Sequence, residues 1–185
     1  MGQRIIHMLT TRMPSGLLYE ADMRLRPNGN AGALVASLSA FEKYQYNDAW
    51  TWEHQALVRA RPVAGDPAVC ARFNEIRRAV LCSERDPDKL LDDVVTMRQK
   101  MRDSLDRGDA EHFHVKHGVG GLVDIEFMVQ YLLLRYSSDY PALCHYSDNI
   151  RQLEALEEAQ LLDEHLAERL AVIYRVLRAA HHSYS

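Results

Sequence analysis

The stretch that most constrains the fold is Leu122 to Tyr136, which is apolar apart from Asp124, Glu126, Gln130 and Arg135. A helix apolar on almost every side cannot lie on a surface, so it has to be the covered centre of a bundle. The flanking sequence supplies the cover. Ser37 can cap a helix running to about Asn47, and Thr51 opens a short one carrying Trp52, Gln55, Ala56 and Arg59. After the break from Pro62 to Pro67, Asp66 caps a helix to about Cys82, and Asp86-Pro87 caps a long one to about Arg107, with proline at its favoured first position. Ser147 caps a helix to about Ala159, and Leu162 to Tyr184 forms the last. The chain has 185 residues, enough for one domain or parts of two and enough to bury a core.

The N-terminal end reads differently. Gln3 to Met13 is the end of a helix, stopped by Pro14-Ser15-Gly16. From Leu17 to Arg26 the residues alternate, with Leu17, Tyr19, Ala21, Met23 and Leu25 on one face and Leu18, Glu20, Asp22, Arg24 and Arg26 on the other, the period of a half-buried strand. Pro27 to Gly32 is a turn or loop, and Leu34 to Ala36 a second short strand. One strand cannot satisfy its own backbone, so its partners come from a hairpin with Leu34 to Ala36 or, the account adopted, from residues beyond this chain. The expected class is α+β, predominantly α, with residues 1–64 as one domain and 65–185 as a helical domain.

Charge and composition exclude several functions. There are 22 Lys/Arg against 26 Asp/Glu, a net charge of −4, which argues against a general nucleic-acid binder. Residues 1–78 hold 10 Lys/Arg and 7 Asp/Glu while residues 79–185 hold 12 and 19, so an anion prefers the N-terminal end. No apolar run approaches the ~20 residues of a membrane span and no signal-peptide core is present. Three widely spaced cysteines, Cys70, Cys82 and Cys144, fit free thiols in a reducing cytoplasm.

Two groups of residues carry candidate chemistry. Glu20, Asp22, Arg24 and Arg26 share a strand face, so carboxylate and guanidinium groups project together. This suits phosphate transfer, a carboxylate holding Mg²⁺ and arginines clamping phosphate oxygens, but equally a solvated sheet face whose charges pair at ~0.2–1 kcal/mol each. In the second group, Gly120-Gly121 opens the apolar helix beside Lys116, where backbone N–H groups can hold an anion; a loop needing positive φ is the equal alternative. Asp124 and Glu126 are two residues apart and point to different sides, so they make no metal pair. His112, His114 and His117 fit no zinc spacing and read as a surface loop. Trp50 and Trp52 with Tyr44 and Tyr46 could stack on bases, but their helical spacing favours a packed core.

Three longer words carry a family resemblance. Leu18 to Gly29 (LYEADMRLRPNG) resembles the third-carboxylate strand of glutamine synthetase adenylyltransferases, bifunctional adenylyl-transferring and adenylyl-removing enzymes. Asn47 to Arg61 (NDAWTWEHQALVRAR) resembles the segment that follows it, and Gly120 to Phe127 (GGLVDIEF) the helical-domain motif. The double-tryptophan word is more similar to the C-terminal, transferring half. The resemblance implies the last strand or strands of a polymerase-β-like nucleotidyltransferase domain, followed by a helical bundle. It further implies transfer of AMP from ATP to a tyrosine of glutamine synthetase, with Mg²⁺ as cofactor and a PII-type signalling protein as second partner. Asp22 falls on the third metal-carboxylate position, with Arg24, Arg26, Lys116, Gly120 and Gly121 as candidates for the nucleotide phosphates. The D-x-D strand that supplies the other two carboxylates in that family is absent, so the chain alone is expected to be inactive. A non-catalytic helical docking module and the phosphorolytic, adenylyl-removing half are the alternatives.

Overall fold

Short acidic and hydroxyl side chains start the helices, because each can accept the backbone N–H groups that a first turn leaves unpaired. Ser37 Oγ accepts from Ala40 N (3.2 Å) at the start of one helix. Asp66 Oδ1 takes Ala68 N and Val69 N (2.8 and 3.3 Å) at another, and Asp86 Oδ1 takes Asp88 N and Lys89 N (3.0 and 2.9 Å) at a third. Proline follows both aspartates at the first helical position. Thr51 follows a cap of another kind, in which the Glu53 carboxylate reaches back to Trp50 N at 2.9 Å.

The computed structural model describes residues 2–14, 16–17, 21–23, 25–106, 108 and 112–183, and divides into two compact units, Met1–Ala49 and Trp50–Ser185. The first contains helix α1 (Gly2–Thr10), strands β1 (Arg12–Met13) and β2 (Gly16–Leu17), a 3₁₀ turn (Gly29–Ala31) and helix α2 (Leu38–Asn47). β1 and β2 pair antiparallel, Arg12 opposite Leu17 and Met13 opposite Gly16, across a reversal in which Gly16 has φ +110°. Positive φ there needs glycine. Gln45 is the one fully buried side chain among the described residues of this unit, while Ile5 (53%) and Met8 (78%) of α1 are exposed.

The expected strand over Leu17 to Arg26 is therefore corrected. Among the described residues strand pairing is confined to Arg12–Met13 and Gly16–Leu17, and Ala21–Met23 has no regular structure. Leu18, Tyr19, Glu20 and Arg24 lie outside the described residues. The second expected strand, Leu34 to Ala36, is a bend leading into the Ser37 cap; no strand lies beside it among the described residues to take up its backbone groups.

Among its described residues the second unit holds only helical elements: α3 (Thr51–Arg59), α4 (Pro67–Leu81), α5 (Pro87–Leu105), α6 (Leu122–Tyr136), a 3₁₀ turn (Pro141–Cys144), α7 (Asn149–Glu158) and α8 (Glu164–Ser183). α6 is the centre, packing against α3, α5, α7 and α8. Seven of its residues are buried, Val129 and Leu133 among them, and they meet Val58 of α3 and Leu153 and Leu156 of α7 in one core. The chain is thus predominantly helical, and the largely apolar helix occupies the position its composition demands. α7 starts one residue later than expected, because Asp148 rather than Ser147 accepts from Arg151 N (3.0 Å). Among the described residues no helix is long and apolar enough to cross a membrane.

Polar groups in the interior tie the helices together. Gln55 Nε2 donates to Gln130 Oε1 (3.0 Å), joining α3 to α6, and Thr51 Oγ1 donates to Asp93 Oδ2 (2.6 Å), joining α3 to α5. Arg77 of α4 is buried and donates to Leu57 O (3.0 Å), Val58 O (2.5 Å) and Cys144 O (2.7 Å). It adds donors to the last carbonyls of α3, where the helix itself supplies only Ala60 N, to Leu57 O (3.1 Å).

Candidate functional site

The segment with the candidate carboxylate lies in the first unit. Asp22 is exposed and in irregular backbone between half-buried Ala21 and Met23. Arg26 closes the loop that follows: its Nη1 donates to Met23 O (2.7 Å) and its Nε to Gly32 O (3.4 Å), while Gly29 N donates to Arg26 O (2.8 Å). Gly32 is required there, since a Cβ would stand 1.9 Å from Pro27 O. The sequence thus builds a tight loop directly after Asp22. Among the described residues no group of three or more His, Cys, Asp or Glu could hold a metal ion.

The glycine-rich entry to α6, in the second unit, is also closely built. Leu122 N donates to Val115 O (3.0 Å), Val123 N to Lys116 O (3.1 Å), Asp124 N to Gly121 O (3.1 Å) and Gly121 N to Gly118 O (3.0 Å). Gly120 N donates to the Asp124 carboxylate (2.6 Å) and has φ +79°. The N–H groups that an open helix start would offer to an anion are therefore engaged by the chain's own carbonyls and by Asp124. Lys116 is exposed beside this loop. A Cβ on Gly121 would stand 2.7 Å from Val115 O and 2.9 Å from Gly118 O. Gly121→Ala is expected to lower stability by about 1–3 kcal/mol, read as a shift of the urea midpoint with an unchanged slope.

Asp124 is the electrostatic hub of this entry. Arg98 Nε donates to it at 2.5 Å and Arg102 Nη2 at 3.1 and 3.3 Å, both from α5. Arg98 also donates to His117 O (2.8 Å), which pins the loop to the same helix. Burial alone would raise the Asp124 pKa, but the Gly120 N–H and the Arg98 and Arg102 charges together outweigh it, so the carboxyl is held below the ordinary aspartate value. Burial, helped by the charges of Lys116, His114 and Arg98, pushes His117 below the usual histidine value. Its ring stacks on that of His114 with centroids 5.3 Å apart.

Glu126 faces elsewhere, as its spacing from Asp124 requires. It accepts from Arg59 Nη1 (2.7 Å) of α3 and from the Tyr174 hydroxyl (2.9 Å) of α8. The two acidic residues of the α6 entry thus clamp different neighbours, Asp124 the end of α5 and Glu126 both α3 and α8. Sequence reasoning missed Arg98, Arg102, Arg59 and Tyr174. The i, i+4 pair Arg98 and Arg102, on one face of a long helix, is the signal that could have found two of them. The aromatic group is corrected as well: Trp50 is 71% and Tyr46 52% exposed, so neither is a core residue.

Comparison with known proteins shows what this architecture is similar to. Residues 1–76 match the family model described as glutamate-ammonia ligase adenylyltransferase, and residues 95–183 the model described as GlnD PII-uridylyltransferase. Both descriptions are of nucleotidyl-transferring enzymes. A bifunctional glutamine synthetase adenylyltransferase/adenylyl-removing enzyme from Hahella chejuensis is 54% identical over 98% of the chain, and one of the same description from Pseudomonas aeruginosa is 52% identical over 98%. The chain spans 19% and 20% of the lengths of these relatives. Over nearly its whole length it is similar to glutamine synthetase adenylyltransferases, and it corresponds to about a fifth of their length.

Proposed function

We propose that this chain takes part in transferring AMP from ATP to a tyrosine hydroxyl of glutamine synthetase, within a protein longer than the chain itself. The observation that carries this reading is the 54% identity, sustained over 98% of the chain, with an enzyme described by that chemistry. Residues 1–64 would belong to the end of a polymerase-β-like nucleotidyltransferase domain and residues 65–185 to the helical domain behind it. The similarity of residues 95–183 to a PII-uridylyltransferase model supports a PII-type signalling protein as a partner of the helical part. The cytoplasm is the setting in which such partners would meet.

Asp22 is the residue of this chain proposed to contact the reaction. Magnesium binds through one or two carboxylates together with substrate phosphates, and an exposed aspartate fits one such ligand position. Mg²⁺ would neutralise phosphate charge as the α-phosphorus is attacked. Asp22 would supply one ligand, and the described residues supply no closed set around it. Arg24, which lies outside the described residues, is the candidate that the resemblance offers for the same phosphates.

The test is the intact mass of glutamine synthetase after incubation with Mg-ATP and the full-length protein, as wild type and as Asp22→Asn. A gain of one AMP, lost in the variant while its thermal midpoint holds, is the expected result; the 185-residue chain by itself is expected to give none. A gain that survives Asp22→Asn removes that residue from the site. Release of AMP dependent on phosphate, with no gain from ATP, assigns the chain to the adenylyl-removing activity. Neither reaction from a folded full-length protein leaves a docking role.

A further inference from the structure

We propose that the groove between α5 and α6 binds an amphipathic carboxylate, a small molecule with an apolar body and a single anionic head. The groove is a cavity of about 300 Å³, within the range of small-ligand sites, and lies wholly in the second unit. α5 contributes Leu91 and Val95 near its start and Arg98 and Arg102 further on, while α6 contributes Phe127 and Tyr131. Because Asp124 at the start of α6 contacts Arg98 and Arg102, the two helices run in opposite directions here. Tyr131, nearly two turns further along α6, therefore lies toward Leu91 and Val95. The groove is basic at one end and apolar along the rest.

The basic end is under-satisfied. Arg98 and Arg102 share the one carboxylate of Asp124. Arg98 is only 7% exposed, yet its Nη1 has no hydrogen-bond partner, and Arg102 Nε is also buried without one. A charged donor shut away from water with no acceptor is a costly arrangement, and structures that keep one commonly do so for a purpose. The remaining Arg98 and Arg102 donors are bonded, to His117 O at 2.8 Å and to Gln99 Oε1 at 3.4 Å. Two guanidinium groups facing one carboxylate leave room for one further negative charge, and a carboxylate offers paired oxygens to just such donors. At the other end Leu91 (46%) and Val95 (56%) leave aliphatic surface in water that an apolar ligand body would cover. A free inorganic anion would use the first feature and a neutral hydrocarbon the second; an amphipathic carboxylate uses both.

Octanoate is the probe, titrated into the 185-residue chain and followed by backbone amide shifts of α5 and α6, with 1-octanol and acetate as controls. Saturable shifts at Leu91 to Arg102 and at Phe127 to Tyr131 are expected, with octanoate binding at least about tenfold more tightly than either control. Val95→Glu places a negative charge in the groove at an exposed position, where the fold should tolerate it, and Arg102→Gln removes part of the anion site. Each is expected to weaken octanoate by about tenfold or more. Equal binding of octanol and octanoate would leave an apolar groove with no anion site and overturn the proposal. So would octanoate shifts elsewhere in the chain, an affinity indifferent to Val95→Glu, or no saturable binding.

Discussion

Arg77→Leu is expected to be among the most damaging single changes in this chain, lowering stability by about 3–5 kcal/mol. Arg77 is 6% exposed and uses three nitrogens on four carbonyls: Leu57 O and Val58 O at the end of α3, Cys144 O at 2.7 Å and Tyr146 O at 3.4 Å. Removing the guanidinium strips Cys144 O of its donor and leaves Leu57 O to Ala60 N (3.1 Å) and Val58 O and Tyr146 O to Gln152 Nε2 (3.4 and 3.0 Å), and an apolar side chain cannot replace the lost donors. Burial pulls the Arg77 pKa down, with the Cys144 and Cys82 thiols opposing it, so the site gains from the fork of donors more than from a charge partner. Arg77→Lys keeps the charge but not the fork, and should recover only part of the loss. Urea unfolding of both variants followed by helical circular dichroism measures this, and a loss below about 1 kcal/mol for Arg77→Leu would show that other groups carry the α3 end.

The elements legible in the sequence were those whose cause is local. Asp66, Asp86 and Ser37 start helices because a short acceptor beside an N-terminus acts within three residues, and each start is where the sequence puts it. The centrality of α6 was legible because apolarity on almost every face leaves no other position. What failed was the strand. A period of two shows that one face is apolar, but strand formation also needs a neighbouring backbone, and among the described residues β1 gives one to Gly16–Leu17 only. Trp50 was misplaced for a related reason, since its apolar size says nothing of whether a neighbour covers it; at 71% exposure none does. The charged clamps of α6 were invisible for want of range. Arg98 and Arg102 lie 26 and 22 residues before Asp124, and Tyr174 lies 48 residues after Glu126. GGLVDIEF therefore read equally as an anion-binding lip and as a loop needing positive φ; Gly120 has φ +79°, and its N–H is taken by Asp124 of the same word.

Asp124→Asn should cost about 2–3 kcal/mol at neutral pH, less than the loss of a fully buried ion-pair partner because the Asp124 side chain is 26% exposed. The amide can still accept from Gly120 N but brings no charge to Arg98 and Arg102, and Arg98 is already short of an acceptor. The pH dependence separates this from loss of packing. The folded carboxyl has a pKa below its ordinary value, so Asp124 stabilises the fold fully above that value, and its contribution disappears as pH falls through the lower, folded pKa. The stability gap between wild type and Asp124→Asn should therefore be constant from pH 7 to pH 5 and close on further acidification. A gap of the same size at pH 3 and pH 7 would mean that shape rather than charge is at work. The partners can be apportioned by a double-mutant cycle with Arg102→Gln: coupling is expected in the pair, and additivity within about 0.5 kcal/mol would place the whole ion-pair effect on Arg98. That outcome would also bear on the groove, because an Arg102 that contributes nothing to holding Asp124 keeps more of its donors for a ligand.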